Sequence, residues 1–100
     1  MQLKLTKEYK EVFLKIRELI NEVDPIGLIA LSAPEDEYDL EIGDIIIKLK
    51  SCSDESEVTE MVFDVFKKWF GNDNAGDYSL YQPIGQQLCQ LKKLYVWLNN

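Results

Sequence analysis

Apolar residues recur every three or four positions along most of the chain, and this spacing is typical of one face of an α-helix. Four such stripes, each bounded by polar or Gly/Pro-rich stretches, predict four helices. The first three begin at a residue whose short polar side chain suits an N-cap, and the fourth begins at a proline, which a first helical turn favours. The predicted helices run from Thr6 to Val23, from Asp39 to about Lys50, from Asp54 to Gly71 and from Pro83 to about Leu98.

The segment between the first two helices, residues 24–39, has a different pattern. Two prolines and a glycine argue against a helix there, because proline restricts the preceding residue and glycine permits positive φ. Ile26 and Leu28 are nevertheless too apolar for a solvated loop, so we expect them to be buried. The sequence therefore predicts an all-α, four-helix bundle-like fold with a long structured loop between helices 1 and 2, and residues 1–100 forming one domain.

Several details of the pattern bear on packing. Gly43 weakens the second helix, which predicts a close approach by another backbone or an aromatic ring at that position. Ile47 falls on the wrong face of this helix, a mild fault that leaves a strand over residues 45–47 as the less favoured alternative. Trp69 and Phe70 lie on the third stripe and are expected in the core. The polar segment before the fourth helix is a predicted loop, with anchors expected at Tyr78, Leu80 and Tyr81.

The negative charge is concentrated in the middle of the chain. Residues 24–66 carry twelve acidic residues against two lysines, a net charge of −10, whereas the whole chain carries −7. This excess opposes binding to nucleic acid or an anionic membrane and favours a basic protein partner. An acidic face that only keeps the protein soluble is the alternative. No stretch has the pattern of a signal peptide or a membrane span, so we expect a cytoplasmic protein.

The chain has few of the residues that enzyme chemistry requires. It contains no histidine, which is the usual proton-transfer group and the usual base for a nucleophile. Cys52 and Cys89 lack a basic neighbour in sequence and are expected to be reduced thiols that serve packing. The segment from Asp73 begins like a calcium loop, but Tyr78 and Ile84 stand where a Gly and a bidentate Glu are needed. We therefore predict no catalytic residue, no metal site and no cofactor.

Acidic residues cluster around the start of the second predicted helix. We interpret this cluster as a docking surface for a basic protein, with one tyrosine as its anchor, since interfaces favour aromatic side chains. Two alternatives remain: the carboxylates stabilise the exposed amides of a first helical turn, or they form a divalent-cation site. The candidate binding residues are Glu35, Asp36, Glu37, Tyr38 (the expected anchor), Asp39, Glu41 and Asp44.

Three blocks of sequence carry a resemblance. They are Ile-Asn-Glu-Val-Asp-Pro-Ile-Gly-Leu at 20–28, Ala-Pro-Glu-Asp-Glu-Tyr-Asp at 33–39 and Lys-Trp-Phe-Gly at 68–71. Over residues 9–71 the chain resembles an uncharacterised family of small bacterial proteins, the domain of unknown function catalogued as number 1871. Val23 stands where the family pattern has an aromatic residue, and Leu40 where it has a proline. The resemblance implies a compact helical fold and a bacterial source, and it implies no activity.

These observations favour a protein-binding module, and specifically an acidic immunity-type protein that neutralises a basic bacterial toxin such as a nuclease by occupying its cationic cleft. The alternative is a homo-oligomeric structural or regulatory protein, with a homodimer formed through Trp97 and the last helix. A carboxylate metal enzyme is a third hypothesis, and it predicts thermal stabilisation by Mg²⁺, Mn²⁺ or Ca²⁺.

Overall fold

The computed structural model describes residues 2–99, and it describes side chains over residues 7–99. Within this range every regular element is helical, which confirms the predicted all-α class. No helix in this range is long and apolar enough to cross a membrane. The α-helices are α1 (Gln2–Val23), α2 (Asp39–Leu49), α3 (Glu55–Phe70), α4 (Asn72–Ala75) and α5 (Gln82–Leu94), and two 3₁₀-helices span Tyr78–Tyr81 and Val96–Asn99.

Helix α1 begins earlier than the sequence predicts and ends where expected. It starts at Gln2, so Thr6 lies inside the helix and the predicted N-cap was wrong; the residues before Thr6 are mostly good helix formers that let the helix extend. At the other end, Asp24 takes a φ of 52°, in the left-handed region, and its N–H donates to the carbonyl of Ile20 at 2.7 Å. The helix therefore ends at Val23, as predicted.

Helix α2 begins at the expected place without the expected cap. Asp39 is the first helical residue, and Tyr38 occupies the N-cap position without a side-chain capping hydrogen bond. The Asp39 carboxylate binds Arg17 instead. The prediction of a close approach at Gly43 was also wrong, because no atom of the described residues lies within 4 Å of the position that its Cβ would take. The side that faces the core carries the predicted stripe of Ile42, Ile45, Ile46 and Leu49.

Helix α3 has the capping that its sequence predicts. The Asp54 side chain accepts a hydrogen bond from the N–H of Glu57 at 2.9 Å, which confirms Asp54 as the N-cap. In return, the Glu57 carboxylate accepts from the N–H of Ser53 at 2.6 Å, so the acid reaches back as in a capping box. Gly71 follows the last residue with a φ of 89°, positive as expected, although its ψ of 156° is extended rather than left-handed helical.

The polar segment after α3, predicted as a loop, contains α4 and the first 3₁₀-helix. Tyr81 anchors it: the ring is fully buried, and the hydroxyl donates to the carbonyl of Ala75 at 2.6 Å. Tyr78 is half-buried and packs edge-on against Phe63, with 5.4 Å between ring centroids. Leu80, the third expected anchor, is 39% exposed and contributes less to the core.

Helix α5 is shorter than predicted. Pro83 lies in its first turn, as expected. The helix ends at Leu94, before the predicted end at Leu98, because Tyr95 takes an extended backbone with φ −127° and ψ 113°. The chain then forms the second 3₁₀-helix, which returns Leu98 to the core.

Helix α3 is central to the packing, since it contacts both α2 and α5, and α5 also contacts α1. The close approach that a glycine permits is found at Gly85 of α5, where an added Cβ would lie 2.8 Å from the Cβ of Thr59 and 2.9 Å from its Cα. The largest fully buried side chains come from four of the α-helices and from residues that flank them: Tyr38, Tyr81, Phe66, Ile16, Ile20, Ile42, Ile45, Ile46, Leu49, Ile84, Leu88 and Leu98.

Candidate protein-binding surface

The connection between α1 and α2, residues 24–38, is folded around the carboxylate of Asp24. This carboxylate accepts hydrogen bonds from the N–H groups of Ile29 at 3.0 Å and Ala30 at 2.9 Å and from the Tyr38 hydroxyl at 2.6 Å. Burial alone would raise the pKa of Asp24, but the hydrogen bonds from Tyr38 and the amides outweigh it and lower this pKa below its ordinary value of 3.8. Asp24 therefore braces the connection as a carboxylate.

Tyr38 is the other half of this arrangement. Its hydroxyl also accepts from the N–H groups of Ile26 at 3.2 Å and Leu28 at 3.4 Å. Its ring is fully buried against Phe66 and Phe70, with centroid distances of 5.7 and 6.3 Å. Burial, and then the hydrogen bond to the carboxylate, raises the pKa of Tyr38 to about 12. A side chain with no exposed surface offers nothing to a partner, so the predicted role of Tyr38 as interface anchor is corrected.

Asp39 is paired within the chain. Arg17 of α1 donates from Nε to Oδ1 at 3.0 Å and from Nη2 to Oδ2 at 2.6 Å, a two-bond geometry that suits a guanidinium and a carboxylate. The hydrogen bond to Asp39 raises the pKa of Arg17, and the charges of Asp39, Glu35 and Asp36 add to this effect. Asp39 therefore joins α1 to α2, and it is removed from the predicted docking residues.

Glu41 faces the interior and is only 4% exposed. Its Oε1 atom has no hydrogen-bond partner in the part of the chain that the structure describes. Burial raises the pKa of Glu41, and the nearby charges of Glu37 and Asp39 raise it further. The prediction that Glu41 belongs to an exposed acidic surface was therefore wrong.

The raised pKa of Glu41 makes stability depend on pH. Between the unfolded value near 4.5 and the folded pKa, the folded protein binds more protons than the unfolded chain, so stability falls as pH rises through this window and then levels. Because Gln carries no charge, we expect Glu41→Gln to raise the free energy of unfolding by roughly 1 kcal/mol at pH 7 and by less at pH 4, measured by urea denaturation. The exposed control Glu60→Gln should change little, because Glu60 lies on α3 and is not among the charges that act on Glu41. If the difference in free energy of unfolding between Glu41→Gln and wild type is constant from pH 4 to 7, the raised pKa of Glu41 is contradicted.

Asp44 is also satisfied within the chain. Its Oδ2 accepts from the indole N–H of Trp69 at 3.2 Å, and the ammonium groups of Lys48 and Lys68 lie 3.3 and 3.9 Å away. Burial would raise the pKa of Asp44, but the indole hydrogen bond and the two lysines outweigh it and lower this pKa. Trp69 is 44% exposed because its indole reaches this surface carboxylate, so the prediction of a core position was wrong.

Three of the seven candidate residues remain exposed and unpaired, and we call Glu35, Asp36 and Glu37 the acidic turn. Among the side chains of residues 7–99, none forms a salt bridge with them. The backbone of the turn is held in place: the N–H of Glu37 donates to the carbonyl of Pro34 at 3.1 Å, and the Asn21 amide donates to the carbonyl of Glu35 at 2.8 Å. The structure thus presents three adjacent carboxylates on a braced backbone.

Next to the acidic turn lies an apolar surface that the sequence analysis missed. Leu40 and Ile47 are 70% and 71% exposed, and they lie two helical turns apart on the side of α2 opposite the core. Gly43 lies between them with open space above it. We call these three residues the α2 outer face; Trp69 of α3 flanks it.

A helix that is apolar on both sides is typical of one that is covered on both sides. The available signal was the spacing of positions 40, 43 and 47, which matches a heptad seam.

The described residues offer little for other chemistry. Both cysteines are free, and the Cys52 thiol donates to the carbonyls of Lys48 at 3.6 Å and Glu57 at 3.8 Å. Burial raises the pKa of Cys52, which disfavours the reactive thiolate. Among the described residues, no group of three or more His, Cys, Asp or Glu side chains is placed to hold a metal ion. The surface formed by the acidic turn and the α2 outer face is therefore the candidate functional site.

Comparisons of the chain with family models, with curated proteins and with solved structures found no match. The fold and the surface together define a class, an all-α protein with an apolar helix face beside a cluster of unpaired carboxylates. The resemblance to the family catalogued as number 1871 stays a prediction.

Proposed function

We propose that this protein is a protein-binding module whose docking surface consists of the α2 outer face and the acidic turn. The observation that carries the proposal is the exposure of Leu40 and Ile47, at 70% and 71%, on the side of a helix whose other side is already in the core. Specific interfaces combine an apolar centre with a polar rim, and they are enriched in aromatic side chains such as the neighbouring Trp69. The surface has this composition.

The charge of the rim supports a basic partner. The three carboxylates of the acidic turn project from a backbone that is held by hydrogen bonds, and no side chain of residues 7–99 forms a salt bridge with them. A cationic protein would gain both faster association through electrostatic steering and an ordered acidic contact. An immunity-type protein that neutralises a basic bacterial toxin such as a nuclease fits this chemistry. We propose for it a four-helix bundle-like scaffold in which the connection 24–38 holds the acidic turn, a cytoplasmic location and membership of the family catalogued as number 1871.

Charge reversal of the acidic turn tests this proposal. We expect Glu35→Lys, Asp36→Lys and Glu37→Lys together to abolish affinity capture of the basic partner from the native cytoplasm and, with the captured partner, to slow association at least tenfold at low salt. The association rate of this variant should also lose most of its dependence on salt, because the steering charges are gone.

The matched control reverses three exposed acids of α1, Glu11, Glu18 and Glu22, and so changes the net charge by the same amount. We expect it to retain the partner and most of the association rate. Equal losses in both variants would show that only net charge matters. If the acidic-turn variant associates with the partner at the wild-type rate, the acidic turn is not part of the docking surface.

A second candidate function is a homo-oligomer formed through the C-terminal end of the chain. Leu94 and Val96 are 71% and 83% exposed, next to Trp97, which is half-buried against the ring of Tyr9 at 6.0 Å. Adjacent exposed apolar residues are typical of an interface. The experiments in the next subsection distinguish this surface from the α2 outer face.

A further inference from the structure

The α2 outer face and its flanking charges are complementary to a second copy of themselves. The N-terminal end of this surface is acidic, because it carries the acidic turn, and the C-terminal end carries Lys50, which is exposed, forms no salt bridge with the described side chains and lies 5.6 Å from the ring centroid of Trp97. When two such helices are placed antiparallel with Leu40 of one against Ile47 of the other, the acidic turn, which precedes α2, lies at the same end as Lys50 of the second copy, which directly follows α2. A two-fold axis repeats each contact, so the acidic end of each copy lies against the basic end of the other.

We propose that a second copy of this chain docks antiparallel on the α2 outer face and forms an isologous dimer. A uniformly basic partner complements only the acidic end of this surface, whereas another copy complements both ends. The inference does not depend on the proposed function: the dimer can form in a protein with no other partner, and a basic partner can bind a chain that stays monomeric.

The middle of the register permits close contact. Gly43 lies near the two-fold axis, and in the part of the chain that the structure describes no atom lies within 4 Å of the position that its Cβ would take. Helix axes approach more closely where the residue at the crossing is small. Asp44, the other residue near the axis, faces Lys48 and Lys68 and accepts from Trp69 within its own chain. Each Asp44 carboxylate is therefore already balanced by lysines of its own chain, and this limits the repulsion between the two carboxylates near the axis.

The expected dimer is weak. Leu40 and Ile47 are about 10 Å apart along the helix, so the contact lies at the small end of specific interfaces. We expect dissociation at protein concentrations of roughly 10 to 500 µM. The dimer would cover the same surface as the proposed docking site, so a basic partner would compete with it.

Sedimentation of the full chain from 10 µM to 1 mM tests the proposal. We expect concentration-dependent dimerisation that Ile47→Glu weakens at least tenfold. Leu94→Glu is the matched control, because Leu94 is also an aliphatic residue of an α-helix and is also 71% exposed; it should leave dimerisation unchanged. A wild-type chain that stays monomeric at 1 mM, or a dimer that Leu94→Glu disrupts and Ile47→Glu does not, would overturn the proposal.

A mixing experiment tests the antiparallel register itself. One variant replaces the three acids of the acidic turn by Lys, and the other carries Lys50→Glu alone, because Lys48 is needed to compensate Asp44 of its own chain. Each variant alone brings like charges together at both ends and should dimerise at least tenfold more weakly than wild type. An equimolar mixture should form a heterodimer at least tenfold more readily than either variant dimerises, because opposite charges then meet at both ends. A mixture that associates no better than its components would exclude this register.

Discussion

Replacing Gly85 by Ala is expected to lower the free energy of unfolding by roughly 3 kcal/mol, the upper range for overpacking a core. The added methyl group would lie 2.8 Å from the Cβ and 2.9 Å from the Cα of Thr59, and closer still to its Oγ1. Thr59 is buried, and a rotation of its side chain moves only the hydroxyl and the methyl group, so it cannot relieve the contacts with Cα and Cβ. The backbones of α3 and α5 must therefore separate, which disturbs the central packing of the fold.

The same substitution at Gly43 is the matched control. Gly43 lies within a helix, and no atom lies within 4 Å of the added methyl group. Because Ala has the higher helix propensity, we expect Gly43→Ala to raise the free energy of unfolding by about 0.5–1 kcal/mol. Urea denaturation of both variants measures the two effects. Destabilisation of similar size at both positions would contradict the close contact between α3 and α5 that the structure shows at Gly85.

These two glycines show what a sequence pattern can and cannot predict about packing. A glycine inside a helix indicates that a side chain would be unfavourable there, which predicted a close approach at Gly43. The close approach is at Gly85, because contact at a helix surface depends on which element lies against it. That information comes from tertiary packing, which local periodicity does not contain.

The helices themselves were predictable because their signals are local. The apolar stripes place most core residues correctly, and the Asp54 N-cap is determined by residues only three positions apart. The Asp39 N-cap failed for a non-local reason. Arg17 lies twenty-two positions earlier and binds the carboxylate that would otherwise have capped α2. The early end of α5 was equally unpredictable from the sequence, because no glycine or proline occurs at Tyr95, where the backbone becomes extended.

The candidate site was predictable only in part, for the same reason. Acidic residues alone do not reveal which of them have partners: Asp39 is bound from α1, and Asp44 is bound by Lys48 of its own helix and by two residues of α3. Burial of Glu41 places it on the core side of α2, which its charge had argued against. The acidic turn is what remains after these pairings. The sequence marked Ile47 as a residue on the wrong face, and its spacing from Leu40 places both on one side of the helix, but only the structure shows that both are exposed.

Replacing Tyr38 by Phe is expected to lower the free energy of unfolding by about 2–3 kcal/mol. The ring and its packing in the core are kept, so the loss comes from the hydroxyl alone. That hydroxyl donates to Asp24 and accepts from the N–H groups of Ile26 and Leu28, and all three groups lie in a connection with no regular secondary structure. Their hydrogen bonds hold the segment that ends in the acidic turn, so the loss should loosen the proposed docking surface as well.

The loss should also change the response to acid. The lowered pKa of Asp24 stabilises the folded state above the ordinary value near 3.8, and this contribution disappears as pH falls through the folded pKa. Removing the Tyr38 hydroxyl raises the folded pKa of Asp24 toward or above that value. The stability that wild type loses on acidification below pH 4 should therefore be smaller in Tyr38→Phe, as measured by urea denaturation at pH 3 and pH 7.

Tyr81→Phe is the control for Tyr38→Phe because it removes the hydroxyl of another fully buried tyrosine. Among the described residues the Tyr81 hydroxyl makes a single hydrogen bond, to the carbonyl of Ala75, so we expect a loss of about 1 kcal/mol. Amide hydrogen exchange should rise at Ile26 and Leu28 in Tyr38→Phe only, since the two networks lie in different segments. Equal costs for the two variants, with unchanged exchange in the connection, would show that packing alone orders residues 24–38 and that the Asp24–Tyr38 hydrogen bond does not position the acidic turn.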